Sequence, residues 1–153
     1  GLPSLRGEVR PEWIDYNGHM TDSRYQQAFG DAMDVLYRGI GIDEDYRARV
    51  GMFYTVESHT THRAELKSGD SYHVETRVLS LDDKRLRMFH GLYRSRDRVL
   101  AATGEQMYLH VSVKTGRAGG VPGPIAAQLE RIRAAQASEP LPAQAGRGVG
   151  QPR

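Results

Sequence analysis

The stretch from Trp13 to Thr21 contains the side chains best suited to chemistry. It reads Trp-Ile-Asp-Tyr-Asn-Gly-His-Met-Thr, and it places Asp15 and His19 in a loop that runs directly into a predicted helix. A helix begins with unpaired amide groups and the positive end of its dipole, so a carbonyl oxygen held there could be stabilised as an oxyanion. The Asp15 carboxylate could then attack the carbonyl carbon or draw a proton from water.

The same loop also has good turn chemistry, which is the alternative interpretation of these residues. Asp15 and Asn17 are residue types that bond local amides in turns, and Gly18 supplies a positive φ at no steric cost. Residue type alone leaves both interpretations open.

The helix that follows this loop is the strongest element of the sequence. Between positions 22 and 38 apolar residues recur at spacings of three, four and seven, which predicts a continuous stripe facing a core. The stripe consists of Tyr25, Ala28, Phe29, Ala32, Leu36 and Ile40. The candidate N-caps are Thr21, Asp22 and Ser23. Gly39 and Gly41 are placed to end the helix.

After the helix the pattern changes to strands separated by short turns. Strands are predicted at 52–63, 72–81, 85–94 and 99–113, with a further short strand at 8–10. Alternation puts Val74 and Val78 on one face of their strand, and Leu86, His90 and Leu92 on one face of theirs. The sequence therefore predicts an antiparallel meander, in which Gly104 marks a bulge or bend.

The last part of the chain divides into a short helix and a tail. Ile125, Leu129 and Ile132 follow Pro122 and Pro124, which is typical of a helix with proline near its first turn. We expect a folded domain at 1–137 and a flexible C-terminal tail at 138–153. The long helix is the natural cover for one face of the sheet, so the fold class is α+β. Free sheet edges favour pairing into a homodimer or homotetramer.

Composition excludes several classes of function. The 153 residues contain no cysteine, so thiolate nucleophiles, disulfides and Cys-ligated zinc are impossible. The formal charge is +2 and both signs are interspersed, so neither nucleic acid nor a membrane surface is an expected partner. No apolar run approaches the ~18 residues that span a bilayer, and no signal peptide is recognisable, so we expect a cytoplasmic protein. His59 and His62 lie three apart on a strand and face opposite sides, so no metal site is expected.

The loop and the helix start resemble the signature Asp-x-x-Gly-His-(hydrophobic)-x-(Asn or Asp)-x-x-Tyr. It belongs to hotdog-fold acyl-CoA thioesterases of the 4-hydroxybenzoyl-CoA thioesterase type. The matching residues are Asp15, Gly18, His19, Met20, Asp22 and Tyr25. The order of helix and strands is also similar to the hotdog fold, a long central helix wrapped by a curved antiparallel sheet, from about residue 8 to 113.

This resemblance implies roles for individual residues. Asp15 would be the catalytic carboxylate, and Gly18 and His19 would shape the loop. Backbone amides around Thr21 and Asp22 would polarise the thioester carbonyl. Many relatives have Asn where this chain has Asp22, a difference that changes the local charge and the capping of the helix.

Further stretches are similar to the thioesterases associated with carnitine breakdown. They are Phe29-Gly30-Asp31-Ala32, Tyr54-Thr55-Val56-Glu57, Lys84-Arg85-Leu86 and Glu105-Gln106-Met107. The resemblance implies hydrolysis of betainyl-CoA to glycine betaine and CoA, without a cofactor apart from the CoA of the substrate. Some of these proteins are fused behind an L-carnitine dehydrogenase domain, which would fit a chain that begins with Gly1. The alternatives are another short-chain or aromatic acyl-CoA as substrate, or a non-catalytic hotdog that binds acyl-CoA and works with a dehydrogenase.

The implied substrate indicates which side chains should bind it. A trimethylammonium group favours aromatic faces and a carboxylate, so the candidate substrate-binding residues are Trp13, Tyr16, Asn17, Phe29, Tyr54 and Glu57. The phosphates of CoA favour arginine and lysine. The candidate CoA-binding residues, at strand ends or turns, are Arg63, Lys67, Lys84 and Arg85, and Arg94 and Arg96 share that placement.

Overall fold

Five strands and three helices form the part of the chain that the computed structural model describes, residues 2–150, with the backbone alone for 2–4. The strands are β1 (Leu2–Glu8), β2 (Gly51–His62), β3 (Ser71–Leu81), β4 (Arg85–Arg94) and β5 (Val99–Ser112). The helices are α1 (Asp22–Ile40), α2 (Glu44–Arg49) and α3 (Gly123–Gln136), and a single 3-10 turn covers Pro11–Trp13. None of the helices described combines the length and apolar character that crossing a bilayer demands.

The strands form one antiparallel sheet with the order β1-β3-β4-β5-β2. The predicted meander is present for β3, β4 and β5. The prediction is wrong for β2, which lies beside β5 at the far edge instead of beside β3. An alternating pattern sets which face of a strand is buried, but it carries no information about the neighbouring strand. The first strand also ends at Glu8, earlier than predicted.

The core lies between α1 and the inner face of the sheet. Phe29, at the centre of the α1 stripe, is fully buried and stacks on the His90 ring at 5.5 Å between ring centres. Gly104 lets the helix approach this closely, because a Cβ there would lie 2.5 Å from the Phe29 ring. The bulge predicted at Gly104 occurs instead at Ala101, where the β4–β5 register shifts. A long helix wrapped by an antiparallel sheet confirms the α+β hotdog architecture.

The C-terminal segment lies against the sheet. Gln136 at the end of α3 accepts from the Val78 N–H at 2.9 Å and donates to the Thr76 carbonyl at 3.0 Å. Further along, Arg77 donates to two carbonyl oxygens at 139–140, at 2.6 and 2.8 Å, and the Gly146 N–H donates to Glu105 at 2.7 Å. Arg77 and Glu105 on the outer face of the sheet therefore bind the backbone at 139, 140 and 146. The expectation of a flexible tail at 138–153 did not include these contacts. Residues 151–153 lie outside the described part.

Candidate active site

Backbone hydrogen bonds close the loop that carries Asp15. Ile14 and Met20 form an antiparallel bridge, and within it the Asp15 N–H donates to the His19 carbonyl at 3.1 Å. The Gly18 N–H donates back to the Asp15 carbonyl at 3.0 Å, and Gly18 has φ 81°. A side chain with a Cβ is strained in that left-handed conformation, which is why glycine is placed there. The turn chemistry of this loop is therefore real, and its effect is to hold Asp15 in place.

The Asp15 carboxylate is half-buried and has one oriented oxygen. Its Oδ1 accepts the Asn17 N–H at 2.9 Å. Within residues 5–150, neither a hydrogen bond nor an ion pair engages the other oxygen, Oδ2. This arrangement fixes the plane of the carboxylate while leaving one oxygen available to react. The predicted role of Asn17 as a contact of substrate is thus accompanied by a direct role in positioning Asp15.

The start of α1 offers backbone donors beside this carboxylate. Thr21 is the N-cap residue, but its side chain makes no capping hydrogen bond, and its own N–H donates to the Trp13 carbonyl at 2.9 Å. The Arg24 N–H donates to the Thr21 carbonyl at 3.0 Å. In the described part of the chain, the amides of Asp22 and Ser23 make no hydrogen bond. The free donors are therefore at Asp22 and Ser23, one residue later than the resemblance implies.

Asp15 opens into a cavity of about 670 Å³. Asp22 and Tyr25 of α1 line one side of it, and His62, Arg63 and the residues that follow β2 line the other. The Met20 N–H donates to the Leu66 carbonyl at 2.8 Å, which fastens the β2–β3 connection to the Asp15 loop. The end of β2 is thus held opposite the start of α1.

Both carboxylates and basic side chains line this cavity. His19 Nε2 contacts a Glu65 carboxylate oxygen, which fits a positioning role for His19 better than a role as base. Arg94 donates to the Glu65 carbonyl at 3.0 Å and to Asp97 at 2.8 Å. The Tyr25 ring meets the His62 ring edge-on at 5.1 Å, and burial raises the pKa of the Tyr25 hydroxyl. A ligand here would meet both carboxylates and cations.

The candidate substrate-binding residues do not all share this cavity. Asn17 lines it, whereas Tyr16 is 98% exposed on the tip of the loop. Phe29 is enclosed by His90 and Gly104 in the core, which does not fit the predicted contact with substrate.

The remaining three candidates also lie elsewhere in the protomer. Tyr54 is exposed on the edge strand β2, and Glu57 of the same strand lines a separate cavity on the outer face of the sheet. Trp13 carries two arginines of this chain on its ring, since the guanidinium carbons of Arg10 and Arg24 each lie 5.6 Å from the ring centre.

The candidate CoA-binding residues fall into two groups. Arg63 lines the Asp15 cavity, and Lys67 follows in the same connection. Lys84 and Arg85 lie at the opposite end of β4 from Arg94, which for a ten-residue strand is a separation of about 30 Å. Within one protomer, Lys84 and Arg85 therefore do not share a site with Asp15.

Sequence reasoning missed the contributions of His62 and Glu65 to the site. His62 is the last residue of β2 and Glu65 lies in the connection 63–70, both far from the signature in the chain, and only the fold brings them to the Asp15 cavity. A local pattern carries no signal for this. No group of three or more His, Asp or Glu side chains arranged to hold a metal occurs in the described residues.

The fold and this site together define the class of protein. A long helix packs on an antiparallel sheet, and a carboxylate with one unbonded oxygen lies near the free amides at the start of that helix. This is the arrangement of a hotdog thioesterase. A family model described as the thioesterase-like superfamily matches residues 9–132, and the chain belongs to that superfamily.

Individual relatives have more specific names than the superfamily. An Agrobacterium fabrum protein named L-carnitine dehydrogenase/betainyl-CoA thioesterase is 48% identical over 141 residues, 92% of this chain but 29% of that protein. A betainyl-CoA thioesterase of Pseudomonas aeruginosa is 38% identical over 152 residues, 99% of this chain and 96% of that protein. The chain thus spans less than a third of the first relative and nearly all of the second.

Solved structures are similar over most of the chain. A hypothetical protein of Staphylococcus aureus in complex with CoA has a TM-score of 0.91 at 30% identity, covering 97% of this chain and 94% of that one. A 1,4-dihydroxy-2-naphthoyl-CoA thioesterase from Synechocystis has a TM-score of 0.77 at 12% identity, covering 86% of this chain and 98% of that one, which shows the shared fold alone.

Proposed function

We propose that this chain hydrolyses betainyl-CoA to glycine betaine and CoA, with Asp15 as the catalytic carboxylate. The observation that carries the proposal is the state of Asp15: one oxygen is held by Asn17, the other is unengaged, and the cavity beside it reaches the start of α1. The two relatives named for betainyl-CoA hydrolysis support the choice of acyl group.

The reaction follows from the free donors and the free oxygen. The thioester carbonyl oxygen accepts from the amides of Asp22 and Ser23, which stabilise the negative charge that develops on it. Asp15 Oδ2 attacks the carbonyl carbon, or removes a proton from a water that attacks it. In direct attack, the carbon–sulfur bond breaks, CoA leaves as the thiolate, and an anhydride joins the acyl group to Asp15; water then attacks the Asp15 carbonyl carbon, so its oxygen stays on Asp15 and the former Oδ2 leaves in the product carboxylate. In general-base catalysis, the oxygen of the attacking water enters the product carboxylate as the carbon–sulfur bond breaks. In both routes a proton from this water ends on the thiol of CoA. The contact between His19 and Glu65 holds the loop in place during these steps.

The cavity also offers groups for the cationic acyl end. A trimethylammonium group cannot donate a hydrogen bond, so it is recognised by carboxylates and aromatic faces. Asp22 lines the cavity, and the exposed His62 ring, backed by Tyr25, supplies an aromatic surface on the other side. Arg63 and Arg94 lie at the same cavity and suit the anionic part of the substrate.

The functional unit that we propose is a cytoplasmic homodimer, with a homotetramer as the alternative. Tyr54 and Val56 on the edge strand β2 are 57% and 58% exposed, a concentration of apolar surface that favours pairing with a second copy. Such pairing would cover Tyr54. Sedimentation across a concentration series tests it, and a chain that stays monomeric at micromolar concentration contradicts it. Fusion to, or cooperation with, a carnitine dehydrogenase is part of the same proposal, because the Agrobacterium fabrum relative joins both names.

A thiol-release assay on a panel of acyl-CoA esters tests the reaction. Asp15→Asn should lower kcat by roughly three orders of magnitude or more while CoA binding is retained, because the reacting group itself is lost. Asp83→Asn, the same change on an exposed turn, is the matched control and should leave kcat unchanged. Circular dichroism verifies that both variants fold.

Two outcomes would contradict the proposal. Turnover restricted to benzoyl-type esters would favour an aromatic substrate. Equal inactivity of the native protein and Asp15→Ala on every ester would favour an acyl-CoA-binding role. A single turnover in labelled water, with mass spectrometry of the peptide that contains Asp15, separates direct attack from general-base catalysis, since only direct attack, through cleavage of the anhydride at the Asp15 carbonyl, transfers label into the Asp15 carboxylate.

A further inference from the structure

A second groove lies on the other side of the 13–21 loop, between β1 and the first half of α1. Its volume is about 790 Å³, and Arg6, Arg10, Trp13, Arg24 and Tyr72 are among its lining residues. We propose that this Trp13 groove binds the phosphate-bearing nucleotide end of coenzyme A. The proposal rests on the proposed thioesterase function and adds a subsite that lies outside the Asp15 cavity.

The first argument is the charge of the groove. Arg10 and Arg24 both place their guanidinium carbons 5.6 Å from the Trp13 ring centre, so two like charges converge on one indole. Neither of them forms an ion pair with a carboxylate in the described part of the chain, and Arg6 forms none there either. An anion between these side chains would supply the missing partner, and guanidinium groups bind phosphate with paired, directed hydrogen bonds.

Several other arginines in the described part of the chain are paired with carboxylates. Arg94 is bonded to Asp97 and Arg87 to Glu105. Arg96 lies 2.9 Å from Asp70. Arg38, Arg63 and Arg117 also form no ion pair in the described residues, so what distinguishes the Trp13 groove is that two unpaired guanidinium groups lie on one aromatic ring.

The acidic residues of the groove do not neutralise these cations. Glu8 and Asp31 line it as well, but within the described residues neither forms an ion pair with an arginine, and Asp31 accepts a hydrogen bond from the Gln27 side chain at 3.0 Å. An anionic ligand would approach the Arg10–Trp13–Arg24 end and avoid the Asp31 end.

The second argument is the aromatic surface beside the cations. Trp13 is half-buried, so part of its indole stays accessible, and guanidinium and indole planes both stack with nucleobases. The groove is large enough for a nucleoside with its phosphates, since ligand pockets for small molecules measure ~300–1,000 Å³.

The third argument is position along the chain. Trp13 precedes Asp15 by two residues, and the Thr21 N–H donates to the Trp13 carbonyl, so the groove and the Asp15 cavity flank one loop. A ligand with phosphates on Arg10 and Arg24 could pass its pantetheine arm over this loop to the reacting oxygen of Asp15. The nucleotide and the thioester would then be held on opposite sides of the same rigid turn.

The fluorescence of Trp13, the sole tryptophan of the chain, gives a direct binding test. Titration of the 153-residue chain with adenosine 3′,5′-bisphosphate should quench this fluorescence saturably, and the quenching should weaken as salt is added. Arg10→Gln and Arg24→Gln should each raise the apparent Kd about tenfold, since each removes a charge-assisted hydrogen bond. Arg38→Gln, the same change on an exposed arginine at the other end of α1, should leave the Kd unchanged.

The titration has clear contrary results. Quenching by adenosine bisphosphate that is the same in Arg24→Gln and native protein would overturn the assignment. So would equal quenching by inorganic phosphate, which would show a site for phosphate ions and not for a nucleotide. Arg24→Lys retains the charge but not the planar fork, and it should recover part of the affinity if the variants fold alike by circular dichroism.

Kinetics connect the groove to the substrate. For Arg24→Gln, kcat/KM should fall about tenfold for acyl-CoA relative to the matching acyl-pantetheine thioester, which lacks the nucleotide and its phosphates. An equal fall for both substrates would overturn the proposal. If the native protein hydrolyses no thioester, the proposed function fails, whereas the fluorescence titration still decides whether the groove binds the nucleotide.

Discussion

His90 should make this protein lose stability when the pH falls from 7 to 5. Its side chain is fully buried on the inner face of β4, parallel to the Phe29 ring, and its Nδ1 lies 3.0 Å from the Thr76 hydroxyl. Its Nε2 has no hydrogen-bond partner among the described residues. Burial lowers the pKa of His90 to about 4, and the nearby Gln106 side chain only partly opposes this fall. The native protein therefore holds His90 neutral.

The size of the effect follows from proton linkage. In the unfolded chain His90 titrates near ~6.5, so below that pH the unfolded state binds a proton that the native state does not bind. The free energy of unfolding therefore falls as the pH falls from about 6.5 towards the native pKa of about 4. Between pH 7 and pH 5 the contribution of His90 amounts to about 2 kcal/mol.

Urea unfolding at pH 7 and pH 5, at one protein concentration, measures this contribution. The comparison is between the native protein and His90→Asn, which keeps a polar atom near Thr76 but cannot titrate. Burial also lowers the pKa values of His73 and His110, and both remain in the two proteins. The variant should be less stable than native protein at pH 7, and its pH dependence should be about 2 kcal/mol smaller.

The reasoning is refuted if the two proteins lose the same free energy between pH 7 and pH 5. That result would mean that His90 gains a proton in the native state without penalty, and hence that water or a counter-charge reaches Nε2. A changed urea dependence in the variant would be detected in the same data as a different slope of the transition.

Three further predictions concern packing in the core, the contact of α3 with the backbone of β3, and the Asp15 loop. Gly104→Ala should lower the free energy of unfolding by about 1–3 kcal/mol, measured by urea titration, because the new methyl would lie 2.5 Å from the Phe29 ring. Gln136→Leu should cost about 1–3 kcal/mol in the same assay, since it removes two buried hydrogen bonds to the backbone of β3. Glu65→Gln should lower kcat for acyl-CoA several-fold through the loosened His19, while the thermal midpoint changes little because the pair is exposed. An unchanged free energy of unfolding in Gly104→Ala or Gln136→Leu, or an unchanged kcat in Glu65→Gln, contradicts the corresponding contact.

Local patterns predicted most elements of the fold. The helix at 22–38 is present as α1, and Gly41 ends it with a φ of 97°. The strand predicted at 85–94 is β4, and its inner face carries Leu86, His90 and Leu92 as expected. These features depend on periodicity and on the conformational freedom of glycine, which are properties of short stretches. Helix α2 was not predicted, because six residues are too few to show a period.

For the candidate site as well, contacts between neighbours in the chain could be predicted and contacts between distant residues could not. Asp15, Gly18 and His19 are neighbours in the chain, so their type and spacing were enough to indicate a shaped loop with a reactive carboxylate. Contacts between residues far apart in the chain could not be predicted from the sequence, and Trp13 is an example. Its ring was a reasonable candidate for an external cation, but residues from β1's end and from α1 supply cations of this chain to it instead.

The position of β2 explains why the site could not be assembled from the sequence. If β2 paired with β3, as a simple meander requires, a short turn would join them and the residues after His62 would stay at one corner of the sheet. Because β2 pairs with β5, the connection 63–70 must cross the end of the sheet to reach β3. That crossing bonds Leu66 to Met20 and brings Glu65 to His19. The strand order that the pattern failed to predict is therefore the feature that closes the cavity around Asp15.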